Sequence, residues 1–154
     1  MKISVRQATV ADVDIVATLV HLLLVELTPE DETPPTLEWV HRTTEALLAD
    51  NTSLWAFLAE SDEGAAIGVL TLNECASIYA GGRFGEISEL YVTPSRRSKG
   101  VGPKLLEAAK EFGRLMGWRR LEVGAPDVAK WKGTLVFYRR NGFDEVGPRL
   151  KLLL

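Results

Sequence analysis

Glu89-Leu90-Tyr91-Val92-Thr93-Pro94-Ser95-Arg96-Arg97-Ser98-Lys99-Gly100-Val101-Gly102-Pro103-Lys104-Leu105-Leu106 reads as a strand ending at Val92, a basic turn, and a helix opened by two glycines spaced by one residue. Glycine there lets backbone approach a ligand closely, while the helix start aims unpaired N–H groups and the positive end of its dipole outward. That arrangement suits phosphate oxygens. Arg97 and Lys99 add positive charge at the same mouth, which favours a pyrophosphate over a single carboxylate. A Walker loop would need Gly-Lys-Ser/Thr, and a dinucleotide fingerprint would need a third Gly with an acidic residue about 20 positions on. Neither is complete.

Outward from this stretch, the chain divides into regular elements without a repeat or linker. Met1 to Ala8 reads as a strand. Asp12 is placed to cap a helix whose apolar positions Val13, Val16, Leu19, Val20, Leu23, Leu24 and Leu27 follow the helical period. The breaker-rich segment Thr28 to Pro35 is a loop. Thr36 caps a second helix carrying Leu37, Val40, Thr44, Leu47 and Leu48 on one side and ending near Asn51. Ser53 to Glu60, Ala65 to Leu72 and Gly85 to Val92 are strands expected to form an antiparallel meander. A helix from about Val101 to Met116 ends at Gly117, Leu121 to Ala125 is a strand, and a last helix from roughly Ala129 to Arg140 stops at Asn141-Gly142. Two short strands around Phe143 to Val146 and Leu150 to Leu153 complete the expectation. The order is β-α-α-β-β-β-α-β-α-β-β, which predicts an α/β (α+β) fold with helices on both faces of a mixed sheet.

The spacing Arg97-x-x-Gly100-x-Gly102, with strand Leu90-Tyr91-Val92 before it and Leu105-Leu106 after it, resembles the acetyl-CoA signature of the GCN5-related N-acetyltransferase (GNAT) family. The family's late Tyr-x-x-x-Gly-Phe element is matched by Tyr138-Arg139-Arg140-Asn141-Gly142-Phe143, and its element order by nearly the whole chain. The resemblance implies one N-acetyltransferase domain over residues 1–154 with a mixed, mainly antiparallel sheet. It also implies acetyl-CoA as co-substrate, bound by Leu90, Tyr91, Val92, Arg97, Ser98, Lys99, Gly100, Val101, Gly102 and Tyr138. In that reading, backbone groups of Leu90 and Val92 hold the pantetheine arm and thioester, and the amides of Ser98 through Gly102 hold the pyrophosphate. Departures are Pro103, which lacks an N–H and biases Gly102 away from helical angles, and Trp131 and Thr134, where members often carry Asn and Ala.

Acyl transfer to an amine needs a proton acceptor for the nucleophile, a donor to the oxyanion and a proton for the departing thiolate. A lysine-like amine has a pKa of roughly 10.4, so a base must take or relay its proton. Glu86 matches in spacing the glutamate that serves some family members, and Glu89 is its rival; on a regular strand the two face opposite ways unless a bulge intervenes. The resemblance places Tyr138 beside the sulfur as proton donor, although Trp131, Leu135 and Tyr138 also fit a helical core stripe. The Val92 amide is the expected oxyanion donor. Cys75, His21 and His41 have no sequence partners for a covalent route or a metal site, so direct transfer in a ternary complex is expected, with no metal.

Composition bounds the remaining possibilities. The chain has 154 residues, 46% hydrophobic and 25% charged, as expected of a folded globular domain. A net charge of −3 argues against a nucleic-acid partner. The apolar run Ile15 to Leu27 is broken by Thr18, His21 and Glu26 and falls short of the roughly 20 residues that span a bilayer, and the N-terminus lacks a secretory pattern. With a lone Cys75, the expected location is the cytoplasm, with no membrane partner. The acceptor is an amine on a small molecule or peptide: a protein N-terminus, a lysine, a polyamine, an aminoglycoside or an amino acid. Glu30, Asp31 and Glu32 in the first loop are placed to attract it. A homodimer through the final strands or Leu-rich tail is open, as is a non-catalytic acyl-CoA sensor of the same fold.

Overall fold

Residues 2–50, 52–125 and 131–154 are described by a computed structural model. Strand β1 (Ile3–Gln7) leads through a short 3-10 turn, Val10–Asp12, into helix α1 (Val13–Leu27). The sequence suggests Asp12 as the cap of α1, but its carboxylate turns back instead. It accepts from the Thr9 amide at 2.8 Å and holds both ends of the Arg6 guanidinium at 2.9 and 2.8 Å. That contact holds the Asp12 carboxyl down to about 2, through the Arg6 hydrogen bond first and the Thr9 amide second. Helix α2 (Leu37–Ala49) is capped as expected, with Thr36 Oγ1 accepting from the Trp39 amide at 3.1 Å.

Strands β2 (Leu54–Ser61), β3 (Ala66–Ser77) and β4 (Gly82–Val92) follow, then helix α3 (Val101–Met116), strand β5 (Leu121–Val123) and helix α4 (Lys132–Arg140). They build a 5-stranded sheet in the order β1-β2-β3-β4-β5. The first four strands pair antiparallel and β5 lies parallel to β4, because α3 carries the chain back across the sheet between them. β3 and β4 run past the expected limits into a long hairpin, so the expected meander forms with deeper strands.

Central strands buried on both sides must be apolar throughout, and β2 alternates its residues between two cores. Trp55 and Phe57 join Leu70, Leu72, Ile87, Leu105, Leu106, Ala109 and Trp118 beneath α3. Ala56 and Leu58 join Val69, Tyr91, Val16, Leu19 and Val40 beneath α1 and α2. Helices therefore cover both faces, as predicted. Gly117 ends α3 in the left-handed conformation at φ 75°.

The two final strands are not formed. Beyond α4 the chain to Leu154 carries no strand, and Val146, Leu150, Leu152, Leu153 and Leu154 are exposed. Gly142 and Gly147 both adopt positive φ, and Pro148 has no N–H to give a ladder, so the apolar pattern around them never becomes a paired strand. The first residues of the last predicted helix, Ala129 and Lys130, lie outside the described residues. No helix among the described residues is long and apolar enough to cross a membrane.

Candidate active site

The site begins where the sheet opens. The β4–β5 ladder runs only from Gly85↔Leu121 to Ile87↔Val123, whereas β4 continues to Val92. The Thr93 amide donates to Ile67 O at 2.9 Å, which fixes the alternation of the strand: the N–H and C=O groups of Leu90 and Val92 turn to the open side. The Val92 carbonyl on that side accepts a hydrogen bond from Arg97 Nε at 2.9 Å.

After β4 the chain makes a 3-10 turn over Pro94–Arg96 and then two left-handed steps, Ser98 at φ 59° and Gly100 at φ 88°. Ser98 is the only non-glycine with positive φ among the described residues. Such steps turn successive amides toward one concave side, an anion-binding geometry that the start of α3 extends. The amides of Ser98 through Gly102 make no hydrogen bond to another described residue. A Cβ at Gly100 would meet nothing within 4 Å, so its glycine is required by φ and the space above it is open to a ligand. Gly102 is required for another reason: a Cβ there would lie 2.9 Å from Phe137 Cζ, on α4. Pro103 sits in the first turn of α3, where the missing N–H costs no intrahelical bond, and the helix starts at Val101.

Arg97, expected to add charge at this mouth, is engaged with the strand end and with α1. Its guanidinium reaches back to Glu26 on α1 with bonds of 2.9 and 2.7 Å and lies 5.3 Å from the Tyr91 ring centre. Lys99 is exposed and makes no ion pair with a described residue.

The carboxylates are rearranged by a bulge. Leu72 faces Ile87 and Thr71 faces Glu89, so Ser88 is an extra residue in β4. Glu86, opposite Asn73, and Glu89, opposite Thr71, consequently share one face of the sheet, the condition under which both can serve one site. Their surroundings differ. Glu89 is half-buried and exchanges bonds with buried Thr71, whose hydroxyl donates to Oε1 at 2.5 Å and accepts from the Glu89 amide at 3.0 Å. Burial pushes its carboxyl above the ordinary range, opposed by the Thr71 hydroxyl. Glu86 is 3.2 Å from Arg149 of the C-terminal segment, whose side chain crosses over Gly124.

Tyr138 is 6% exposed on α4, its ring 5.3 Å from that of Phe137 and 5.4 Å from that of Phe143. Its hydroxyl makes no hydrogen bond to another described residue, and burial pushes its pKa up to about 12. Tyr138 and Glu86 line one cleft of about 980 Å³, together with Trp118, Glu122 and Arg149; Glu89 is not part of its wall.

Glu122, Arg149, Thr71 and Glu26 were not among the residues the sequence suggested. Glu122 stands opposite Glu86 in the parallel pairing and is held by Tyr79 Oη at 2.9 Å and Arg120 at 2.6 Å. Its register depends on the crossover through α3, and the other three depend on contacts distant in sequence, so none carried a local signal. Among the described residues no group of His, Cys, Asp or Glu is arranged to hold a metal ion.

Residues 17–143 match the model of the Acetyltransferase (GNAT) family. A 62-residue stretch is 39% identical to an uncharacterized N-acetyltransferase of Methanocaldococcus jannaschii, covering 39% of this chain and 26% of that protein, so the match spans about a quarter of the relative's length. Among solved structures, a predicted acetyltransferase with acetyl-CoA from Clostridium acetobutylicum shares the fold at a TM-score of 0.79 and 18% identity, covering 99% of this chain and 96% of that one. The aminoglycoside N-acetyltransferase AAC(6')-Iy in complex with CoA superposes at a TM-score of 0.78 and 19% identity, over 99% of this chain and 95% of that one.

Proposed function

The chain belongs to the Acetyltransferase (GNAT) family, and from that premise we propose that it moves an acetyl group from acetyl-CoA to a primary amine by direct attack in a ternary complex. The observation that carries this reading is the end of β4 beyond Ile87, which no described strand pairs on the β5 side and which the Ser98–Gly102 loop continues: an edge held there at the Val92 carbonyl by Arg97 leads straight into a run of amides that bond to no other described residue. An extended amide-bearing arm fits the first and a pyrophosphate the second.

In the reaction, the neutral amine nitrogen bonds to the thioester carbonyl carbon, and the carbonyl electrons move onto oxygen, where the Val92 N–H on the open edge stabilises them. The amine's proton passes to a carboxylate. Glu89 suits this role because no cation among the described residues pairs with it and burial favours its protonated form, whereas Glu86 already faces Arg149. The C–S bond then breaks and the thiolate takes the Tyr138 phenol proton, leaving an amide and CoA thiol. With its pKa pushed up to about 12, Tyr138 keeps that proton throughout the physiological range and, as a phenolate, recovers one readily from the base or solvent. The acceptor enters from the α1–α2 side, where exposed Glu30, Asp31 and Glu32 favour a cationic amine.

Thermal unfolding with acetyl-CoA, CoA, ATP and NAD, each in separate samples, tests the donor. A ligand at 100 times its Kd stabilises by roughly 2.7 kcal/mol, a shift of several degrees for this size. A rise with the two thioester-series ligands alone supports the reading, and a larger rise with ATP or NAD ends it. Tyr138→Phe then separates enzyme from sensor: turnover on an amine panel should fall roughly 100-fold while CoA affinity stays within about twofold. A wild-type protein that binds acetyl-CoA and turns over no amine would favour the non-catalytic alternative.

A further inference from the structure

We propose that the Arg97 side chain is a positioning residue rather than a phosphate ligand: pinned by Glu26, it fixes the open end of β4 against α1 and so sets the backbone that receives the thioester arm. This rests on the acyl-CoA reading above and reassigns one of its residues.

The guanidinium has five directional N–H donors, and one on each of its three nitrogens is already committed. Nε donates to the Val92 carbonyl at 2.9 Å, and its two terminal nitrogens donate to the two oxygens of Glu26 at 2.9 and 2.7 Å. The planar group also lies over the ring of Tyr91, a residue 5% exposed and part of the core beneath α1. An isolated ion pair as exposed as this one, at 41% and 30%, contributes little. Here the pair is bidentate and joined to a third bond and a ring, a set that only the Arg fork can satisfy.

The position of the third bond gives it a function. The 92–93 peptide has its N–H on Ile67 and its C=O on Arg97, so it is held from both sides at the point where β4 has lost its neighbour. Without Arg97 the carbonyl side is free, and the plane of the last strand peptide before the loop is set only by β3. Glu26 lies in the last turn of α1, two residues before Thr28 begins the loop that walls the acceptor side. One side chain therefore ties the donor edge to the acceptor wall, while Lys99 on the same loop stays exposed.

The test compares acetyl-CoA with 3′-phosphoadenosine 5′-diphosphate, which carries the phosphates and lacks the thioester arm. Kd values are measured by calorimetry for wild type, Arg97→Gln, Glu26→Gln and the double variant. Each single variant should weaken acetyl-CoA roughly tenfold and leave the nucleotide within twofold, and the double variant should be no weaker than Arg97→Gln alone. A phosphate ligand behaves otherwise: Arg97→Gln weakens both ligands alike, and Glu26→Gln, by freeing the guanidinium, tightens them. That result overturns the proposal, as does unchanged acetyl-CoA affinity in either single variant. If Arg97→Gln fails to fold, Glu26→Gln alone decides by the same two readings. Wild-type protein that binds neither ligand would instead count against the acyl-CoA reading itself.

Discussion

At the scale of single residues, the site is a sorting of similar groups by their neighbours. Glu86 and Glu89 sit on one face of one strand, yet one faces a cation and the other a threonine hydroxyl in a partly dry setting. The second environment stores a measurable penalty. A carboxyl whose folded pKa is raised binds protons more readily in the folded chain than in the unfolded one, so its effect on stability is absent at pH below the unfolded value and unfavourable as pH rises through the folded value. Glu89→Gln removes that penalty and keeps the shape. The variant should therefore melt at the same temperature as wild type near pH 4 and progressively higher above it, levelling off once Glu89 is ionised in the folded wild type. A constant offset at every pH would mean that Glu89 titrates normally. The same substitution should cut turnover by about 100-fold or more if Glu89 takes the amine proton, whereas Glu86→Gln should cost far less; the reverse order would move the base to Glu86.

At the scale of elements, the strand–loop–helix unit was legible in the sequence because each step depends on local chemistry. Gly100 had to be glycine at φ 88°, Thr36 could cap only what followed it, and Gly117 could only end α3. The bulge at Ser88 was not legible, because it is defined by which β3 residue faces which β4 residue, and nothing in Ile87-Ser88-Glu89 alone announces it. Gly102 shows the limit from the other side: its glycine reads as close approach to phosphate, while the contact it makes room for is Phe137. Alanine there gains roughly 1 kcal/mol of helix propensity but places a methyl 2.9 Å from a ring packed in the core. Overpacking of this kind costs about 1–3 kcal/mol, so Gly102→Ala should lower Tm by a few degrees and, because Phe137 adjoins Tyr138, reduce turnover more than acetyl-CoA affinity. A variant that melts higher than wild type would mean that α4 shifts freely and that Gly102 is held by the ligand alone.

At the scale of the molecule, two cores back to back on one sheet account for stability, and the C-terminal segment belongs to neither beyond Phe143. The expectation of two final strands followed from apolar residues spaced as in a strand, but periodicity says only that a face exists, not that a neighbour is there to cover it. Phe143 is different from the leucines that follow: it packs on the core beneath α3 and against Tyr138, whereas Leu150, Leu152, Leu153 and Leu154 are 94%, 84%, 84% and 117% exposed. Apolar surface that stays in water contributes no burial energy, at any length. Ending the chain after Arg149 should therefore move Tm by no more than about 2 °C, while Phe143→Ala, which removes a ring from a partly buried packed site, should cost about 2 kcal/mol and lower Tm by roughly 4–8 °C. The same pair of variants separates two architectures. If the shortened chain melts many degrees lower, the tail is paired in solution, within the chain or with a second copy, and the ratio of the two losses at several protein concentrations tells which: a paired second copy makes the wild-type Tm rise with concentration and the shortened chain's Tm independent of it.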